Sequence, residues 1–384
     1  MGMQPKLRFK GFTDDWEKRK LLELATFSKG QGYSKKDLVS SGYPIILYGR
    51  LYTNYQVSIT TVNDTFVANN KNAVISEIGD VIVPGSGETA EDISRASSIN
   101  IAGIILGGDL NVIHPYQDRL DSTFLALNIS NGVQQKELTK RAQGKSIVHI
   151  HNSDLQTITL KKPELYEQQK ISKLFIYLDN LITVNQRKVD LLKKKKNGYL
   201  QKLFPENGQN NPELRFKGYT DAWEKRKLTD VVEKQIKGKA QFEKLKAGDV
   251  EYLDTSRLNG GKAVLTDGVK DVDQDNILIL WDGSKAGTVY TGFEGALGST
   301  LKAYKTSADS QFVYQFLKRY QDNIYNNYRT PNIPHVQKDF LDVFNIEVPI
   351  FEEQEKIGIL FQNLDHLITV NQRTTIPISP NQNS

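Results

Sequence analysis

The chain repeats itself at both ends of two unlike interiors, and this constrains its fold more than any other feature. Residues 5–24, PKLRFKGFTDDWEKRKLLEL, return as PELRFKGYTDAWEKRKLTDV at 212–231, with 14 of 20 positions identical. A second pair, EQQKISKLFIYLDNLITVNQR at 167–187 and EQEKIGILFQNLDHLITVNQR at 353–373, matches at 15 of 21 positions. The offsets are 207 and 186, so the first interior is 21 residues longer. Between the frames the sequences diverge: GYSKKDLVSSGYPIILYGRLYTNY in the first has no visible counterpart beside YLDTSRLNGGKAVLTDGVKD in the second. Plain duplication of a structural domain spreads divergence evenly. Fixed ends around exchanged interiors indicate a constant scaffold carrying variable readers.

The second frame motif predicts a helix in each copy. Pro163 and Pro349 sit where a first turn tolerates proline. Ile171, Leu174, Leu178 and Leu181, then Leu192 and Tyr199, recur near a 3.5-residue period, and Ile357, Leu360, Leu364 and Leu367 repeat it. Phe175, Ile182, Phe361 and Ile368 widen the apolar face, and Asn185 and Asn371 fall on the seam or at a solvated end. The first helix is expected over 164–204, roughly 60 Å at 1.5 Å per residue, which matches about 18 base pairs. Its lysine run (Lys193, Lys194, Lys195, Lys196, Lys202) reads equally as a solvated face. After Arg373 the sequence TTIPISPNQNS has no counterpart of VDLLKKKKNGYLQKLF, and Pro377 forbids a continuing helix. A disordered tail is expected over 374–384.

Each interior mixes short β-type runs with glycine-bearing turns. Strands are expected at 44–48, 81–83 and 100–106, and at 277–281 and 287–290. Each interior ends alike, IVHI at 147–150 and IPHV at 333–336. The fold class expected is α+β: two globular mixed domains separated by two long antiparallel coiled-coil helices, with an internal pseudo-two-fold repeat. The boundaries read as 1–150 for the first variable domain, 151–204 for the first helix and its lead-in, 205–211 for a polar linker, 212–349 for the second domain, and 350–373 for the shorter helix.

A search for chemistry is nearly empty. With no cysteine, disulfides and thiolate chemistry are excluded. Gly85-Ser86-Gly87 lacks a third glycine, and Gly144-Lys145-Ser146 has Thr139 where a phosphate loop needs glycine. His149-x-His151 lacks a third ligand, and because His149 recurs as His335 while His151 becomes Gln337, packing or capping is the expected role. Trp16 and Trp223 read as core anchors. No metal and no catalytic residue is expected, and no apolar run is long enough to cross a bilayer, so a cytoplasmic protein is expected.

Lys plus Arg exceed Asp plus Glu by 50 to 45, and many of these basic residues cluster with Asn, Ser and Tyr in the interior loops. The candidates for DNA contact are Lys29, Tyr33, Lys35, Lys36, Arg50, Tyr52, Asn54, Arg95, Arg141 and Lys145 in the first. In the second they are Ser256, Arg257, Asn259, Lys262, Lys285, Arg329 and Asn332, with Lys234, Lys237 and Lys239 nearby. Arginine can bond guanine and asparagine adenine bidentately, whereas lysine mainly holds phosphate. Any one of them alone reads as an ordinary exposed side chain; the set carries the argument.

The motifs LRFKG-[FY]-TD-x-WEKRKL and EQxKI…LFxxLDxLITVNQR resemble the specificity subunit of type I restriction–modification enzymes, over all but the last eleven residues. The resemblance implies target-recognition domains over about 21–150 and about 228–336. It also implies a bipartite asymmetric site on double-stranded DNA, with antiparallel helices as spacer between the readers. Two modification subunits, which bind S-adenosylmethionine and methylate adenine N6, and two restriction subunits using ATP and magnesium would dock on this chain. The chain itself would bind no cofactor and catalyse nothing, and no membrane is involved. The short second helix departs from the family pattern. The alternative reading is a duplicated scaffold that binds proteins and not DNA.

Overall fold

The computed structural model describes residues 5–142, 147–206, 209–331 and 334–373. The chain forms two compact units, 1–183 and 184–384. The division falls inside the long helix and not in the polar linker expected at 205–211. Its physical cause is that Leu192, Tyr199, Leu200, Leu203 and Phe204 belong to the core of the second unit.

In the first unit the frame strand β1 (Glu17–Lys20) leads into β2 (Ala25–Lys29). Strands β3 (Val81–Pro84) and β4 (Leu110–Pro115) follow, then α1 (Ser122–Ser130), β5 (Val148–His149), β6 (Thr159–Lys162) and α2 (Leu165–Lys202). The main sheet runs β2-β4-β3, then Ser97–Ile99 and Ser58–Ile59. A second five-stranded sheet includes Tyr43–Ile46 and Ile105–Leu106. Of the strand expected at 100–106 only Ile105–Leu106 forms, because Gly103 turns the chain at φ +87° just before it. β3 is buried along its length, as a central strand covered on both faces must be.

The second unit repeats this plan with β7 (Glu224–Lys227), β8 (Val232–Lys237), β9 (Ile277–Leu280), β10 (Leu301–Thr306), α3 (Ser310–Arg319), β11 (Asn345–Val348) and α4 (Phe351–Arg373). β1 pairs antiparallel with β6, and β7 with β11. The interiors correspond too, although their sequences do not. β2–β4–β3 and β8–β10–β9 have the same order and the same antiparallel sense. Leu110 pairs with Pro84, and Leu301 with Leu280. Gly30 donates to the Leu110 carbonyl at 2.9 Å and Gly238 to that of Leu301 at 3.0 Å.

The repeated residues explain how each helix is held to its unit. Arg8 makes two hydrogen bonds of 2.7 Å to Glu167, and Arg215 makes two of 2.8 Å to Glu353. Both carboxylates are buried. Next to them Gln168 accepts the Asp121 amide at 3.0 Å and donates to the Pro163 carbonyl at 2.9 Å. Gln354 likewise accepts the Asp309 amide at 2.9 Å and donates to Pro349 at 2.8 Å. The prolines thus lie just ahead of each helix, outside its first turn, with their carbonyls taken by these glutamines. Asp121 and Asp309 also cap α1 and α3 through the Phe124 and Phe312 amides, each at 2.8 Å. Trp16 and Trp223 stand edge-on to those phenylalanines at 5.9 and 5.6 Å.

The buried line of α4 is Ile357, Phe361, Leu364, Ile368 and Asn371, not the expected Ile357, Leu360, Leu364 and Leu367: Leu360 is half-buried and Leu367 is 43% exposed. The seam rotates because α4 packs on α3 and, within this unit, on the end of α2. Phe204 stacks on Phe361 at 5.9 Å while Lys196 holds Asp365 at 2.6 Å, so residues 196–204 run antiparallel to 361–365. Gly358 permits the approach to α3, since a Cβ there would meet Asp309 Oδ1 at 2.4 Å. In α2, Ile171 is half-buried, whereas Leu174, Leu178 and Leu181 are 41–42% exposed.

Removing one partner of a buried ion pair leaves an uncompensated charge and costs about 3–5 kcal/mol. Arg215→Met is therefore expected to lower the urea-unfolding free energy of the second unit by roughly that amount. A loss no larger than that of an exposed control such as Lys305→Met would contradict the assigned role.

Candidate nucleic-acid interface

In each unit one rim of the main sheet gathers polar groups, because the strand closing the interior returns to the end of the central strand. In the first unit Ser86 pairs with His149, and the Ile150 amide donates to the Gly85 carbonyl at 3.1 Å. Lys29 stands opposite Asn111 across β2 and β4. The Asn111 side chain donates to the Ile150 carbonyl at 2.8 Å, and that of Asn152 to the Ser28 carbonyl at 2.7 Å. His149 shares a 3.0 Å hydrogen bond with Ser86 and stacks with His151 at 6.4 Å. Lys29, His149 and His151 are exposed along this rim.

The second unit keeps the lysine and the histidine, as Lys237 and His335, and changes the residues paired with them. Asp282 bridges His335, and the Val336 amide donates to the Trp281 carbonyl at 2.9 Å. Lys237 stands opposite Lys302, and the Lys302 ammonium lies 3.2 Å from the centre of the Trp281 ring. Burial first, and the charge of Lys237 second, push the Lys302 ammonium below its ordinary pKa. The loop 282–287 projects from this rim with Lys285 exposed, and Arg329 fastens its base by donating to the Ser284 carbonyl at 3.0 Å.

The sequence candidates divide by residue type. Lys29, Lys35, Lys36, Lys262 and Lys285 are exposed, as are Asn54, Ser256 and Asn259. The arginines are engaged within the fold instead. Arg50 is buried against Asp64, correcting its assignment as an exposed reader. Arg257 pairs with Glu251 and lies 5.3 Å over Phe293. Arg329 also donates to the Tyr325 carbonyl at 2.8 Å. Arg141 bonds Thr157, and Arg95 lies 5.5 Å over Tyr55. A planar five-donor fork finds local acceptors readily, which a solvated ammonium does not require. Tyr33 donates to Asn69 at 3.0 Å, and Tyr52 packs 6.3 Å from Tyr48, burial raising its phenol pKa. Asn54 donates to Asp64 at 3.2 Å and Asn259 to the Thr255 carbonyl at 2.6 Å. Lys145 and Asn332 lie outside the described residues. Among those residues no three His, Asp or Glu side chains are placed to hold a metal, and no helix is long and apolar enough to cross a membrane.

Sequence reasoning missed Ser86, Asn111, Trp281 and Lys302, although the recurrence of His149 as His335 marked the rim. It also missed a chain of hydrogen bonds from Ser28 to His114 Nε2 at 2.8 Å and from His114 Nδ1 to Asp80 at 2.7 Å. The order is that of a hydrolytic triad, but Ser28 lies within the β2–β4 ladder opposite Val112. Hydrogen bonding to Asp80, opposed by partial burial, raises the His114 pKa.

Comparison with known proteins shows the family of the chain. The model of the type I restriction modification DNA specificity domain matches residues 13–194 and again 220–378. The chain belongs to that family. The type I restriction enzyme MjaVIII specificity subunit of Methanocaldococcus jannaschii is 31% identical over 165 residues, 40% of this chain and 39% of that protein. The putative MjaX specificity subunit of the same organism is 22% identical over 396 aligned positions, covering 94% and 89%. The crystal structure of a type I restriction–modification S subunit from M. genitalium superposes with TM-score 0.69 at 18% identity, covering 97% of this chain and 96% of that one. It shares the fold.

Linkage gives the sign for His114. A folded pKa above the unfolded value of about 6.5 stabilises fully below that pH, and the contribution fades as pH rises through the folded pKa. His114→Gln is expected to lose this pH-dependent component between mildly acidic and mildly alkaline solution, measured by urea unfolding at several pH values. Unchanged pH dependence in the variant would contradict the assignment.

Proposed function

We propose that this chain is the non-catalytic DNA-reading subunit of a type I restriction–modification complex, each unit reading one half of a bipartite, asymmetric site on double-stranded DNA. The observation that carries the reading is that one strand framework exposes Lys29, His149 and His151 at the rim of one unit and Lys237, Asp282 and Lys285 at the corresponding rim of the other. A constant frame with different rim chemistry is what two independent half-site readers require. Exposed lysines supply sequence-independent phosphate contacts, and Asn, Asp, Ser and His side chains supply groups able to bond base edges.

The family membership supports docking of two modification and two restriction subunits on this chain. In this proposal S-adenosylmethionine, ATP and magnesium belong to those partners. The flipped adenine is handled by the modification subunits.

Exchanging residues 25–150 for the corresponding block of a related chain is expected to change one half of the recognised sequence. The readout is sequencing of duplexes selected from a random pool by the complex with modification subunits. A change in both halves would overturn the modular reading. Lys285→Ala is expected to weaken binding about equally across sequences and to reduce the salt slope by about 1.

A further inference from the structure

One carboxylate on the rim of the second unit stands without a partner. Asp282 is exposed, and among the described residues no hydrogen bond or ion pair engages its side chain. Its surroundings are cationic: Lys285 is exposed in the same loop, and Lys302 stands opposite Lys237 on the adjoining ladder. Burial and the charge of Lys237 lower the Lys302 pKa, and the charge of Asp282 opposes them. The matching position in the first unit is Ser86, since each of the two residues bridges the returning histidine. Ser86 is buried and shares a 3.0 Å hydrogen bond with His149. His335 turns instead to the Thr330 hydroxyl, at 3.0 Å, so Asp282 is not spent on holding it.

The loop that carries Asp282 is fastened from behind. The Gly283 amide donates to the Pro334 carbonyl at 2.9 Å, and the Ala286 amide to the Gly283 carbonyl at 2.9 Å. The Ser284 carbonyl accepts from Arg329 at 3.0 Å, and the Lys285 carbonyl from the Thr288 hydroxyl at 2.7 Å. Gly283 has φ +118°, a conformation that glycine adopts without strain. The backbone is thus held, while the Asp282, Ser284 and Lys285 side chains are exposed.

A carboxylate on a surface that meets a polyanion is repelled by every phosphate, and it accepts hydrogen bonds but donates none. It favours binding only where the duplex offers it a donor. In the major groove the donors are the exocyclic amino groups of cytosine (N4) and adenine (N6). Adenine N6 is flanked by two acceptors, its own N7 and thymine O4; cytosine N4 is flanked by one, guanine O6. Each flanking acceptor repels the carboxylate, so cytosine is the better partner.

We propose that Asp282 is a specificity-determining residue of the second unit, its carboxylate accepting a hydrogen bond from the N4 amino group of one cytosine in the half-site that this unit reads. The inference rests on the DNA reading and adds to it one base and the group that recognises it.

The test is sequencing of duplexes selected from a random pool, at fixed salt, by the full chain with modification subunits, as wild type, Asp282→Ala and Asp282→Asn. Asp282→Ala is expected to lower the preference for a cytosine–guanine pair at one position of the second half-site about tenfold. The first half-site stays as in wild type, and affinity for unrelated duplex does not fall. Asp282→Asn is expected to change the preferred base at that position from cytosine to adenine, because an amide pairs bidentately with adenine N6 and N7. Urea unfolding verifies that both variants keep the fold. A selected wild-type site that Asp282→Ala leaves unchanged, or weakens equally at all positions, overturns the assignment alone. So does a wild-type preference for an adenine–thymine pair at the affected position. A wild-type pool with no selected position overturns the DNA reading and the assignment together.

Discussion

Two buried guanidinium–carboxylate pairs, Arg8 with Glu167 and Arg215 with Glu353, are the interaction on which the architecture depends. Each joins the start of a unit to the helix that leaves it, across 159 residues in one case and 138 in the other. A bidentate pair fixes orientation as well as distance. The adjoining glutamines extend this fixation to the N-termini of α1 and α3. Because none of these groups belongs to the variable strands, the interior sequence can change while the mounting stays the same. That is how a chain with exchanged interiors keeps equivalent ladders.

The rims gain their difference from the same economy. Ladder register determines where a side chain emerges, and position in the sequence determines what emerges there. Lys29 faces the buried Asn111 where Lys237 faces the half-buried Lys302, so one unit backs its exposed lysine with an amide and the other with a second cation beside an indole. The local field follows: Lys302 feels Lys237 and burial, and its proton is held less tightly than that of a solvated lysine. Two readers on one framework can thus differ in charge and hydrogen-bonding character without any change in backbone plan.

Much of this was legible in the sequence, for a definite reason. The frames declare themselves by repetition, and the helices by period and by flanking prolines; observed limits of 165–202 and 351–373 lie within two residues of the expected starts and ends. The seam was misplaced by one position, because the period of α4 alone does not say which of two adjacent apolar rows meets α3. The commitments of Arg50, Arg257 and Arg329 were invisible, since their acceptors are set by strand pairing and loop closure and not by spacing. The Ser28–His114–Asp80 chain was hidden likewise: its members lie 34 and 86 residues apart and meet only through the sheet.

The buried Arg–Glu pair, and not the interior, positions each variable block. Replacing residues 232–344 by residues 25–158 and determining the crystal structure of the chimera tests it directly. The account predicts the Arg215–Glu353 pair unchanged near 2.8 Å, with Gln354 now accepting the Asp121 amide as it accepts that of Asp309. A broken pair, or α4 displaced by a helical turn against the transplanted block, would contradict it.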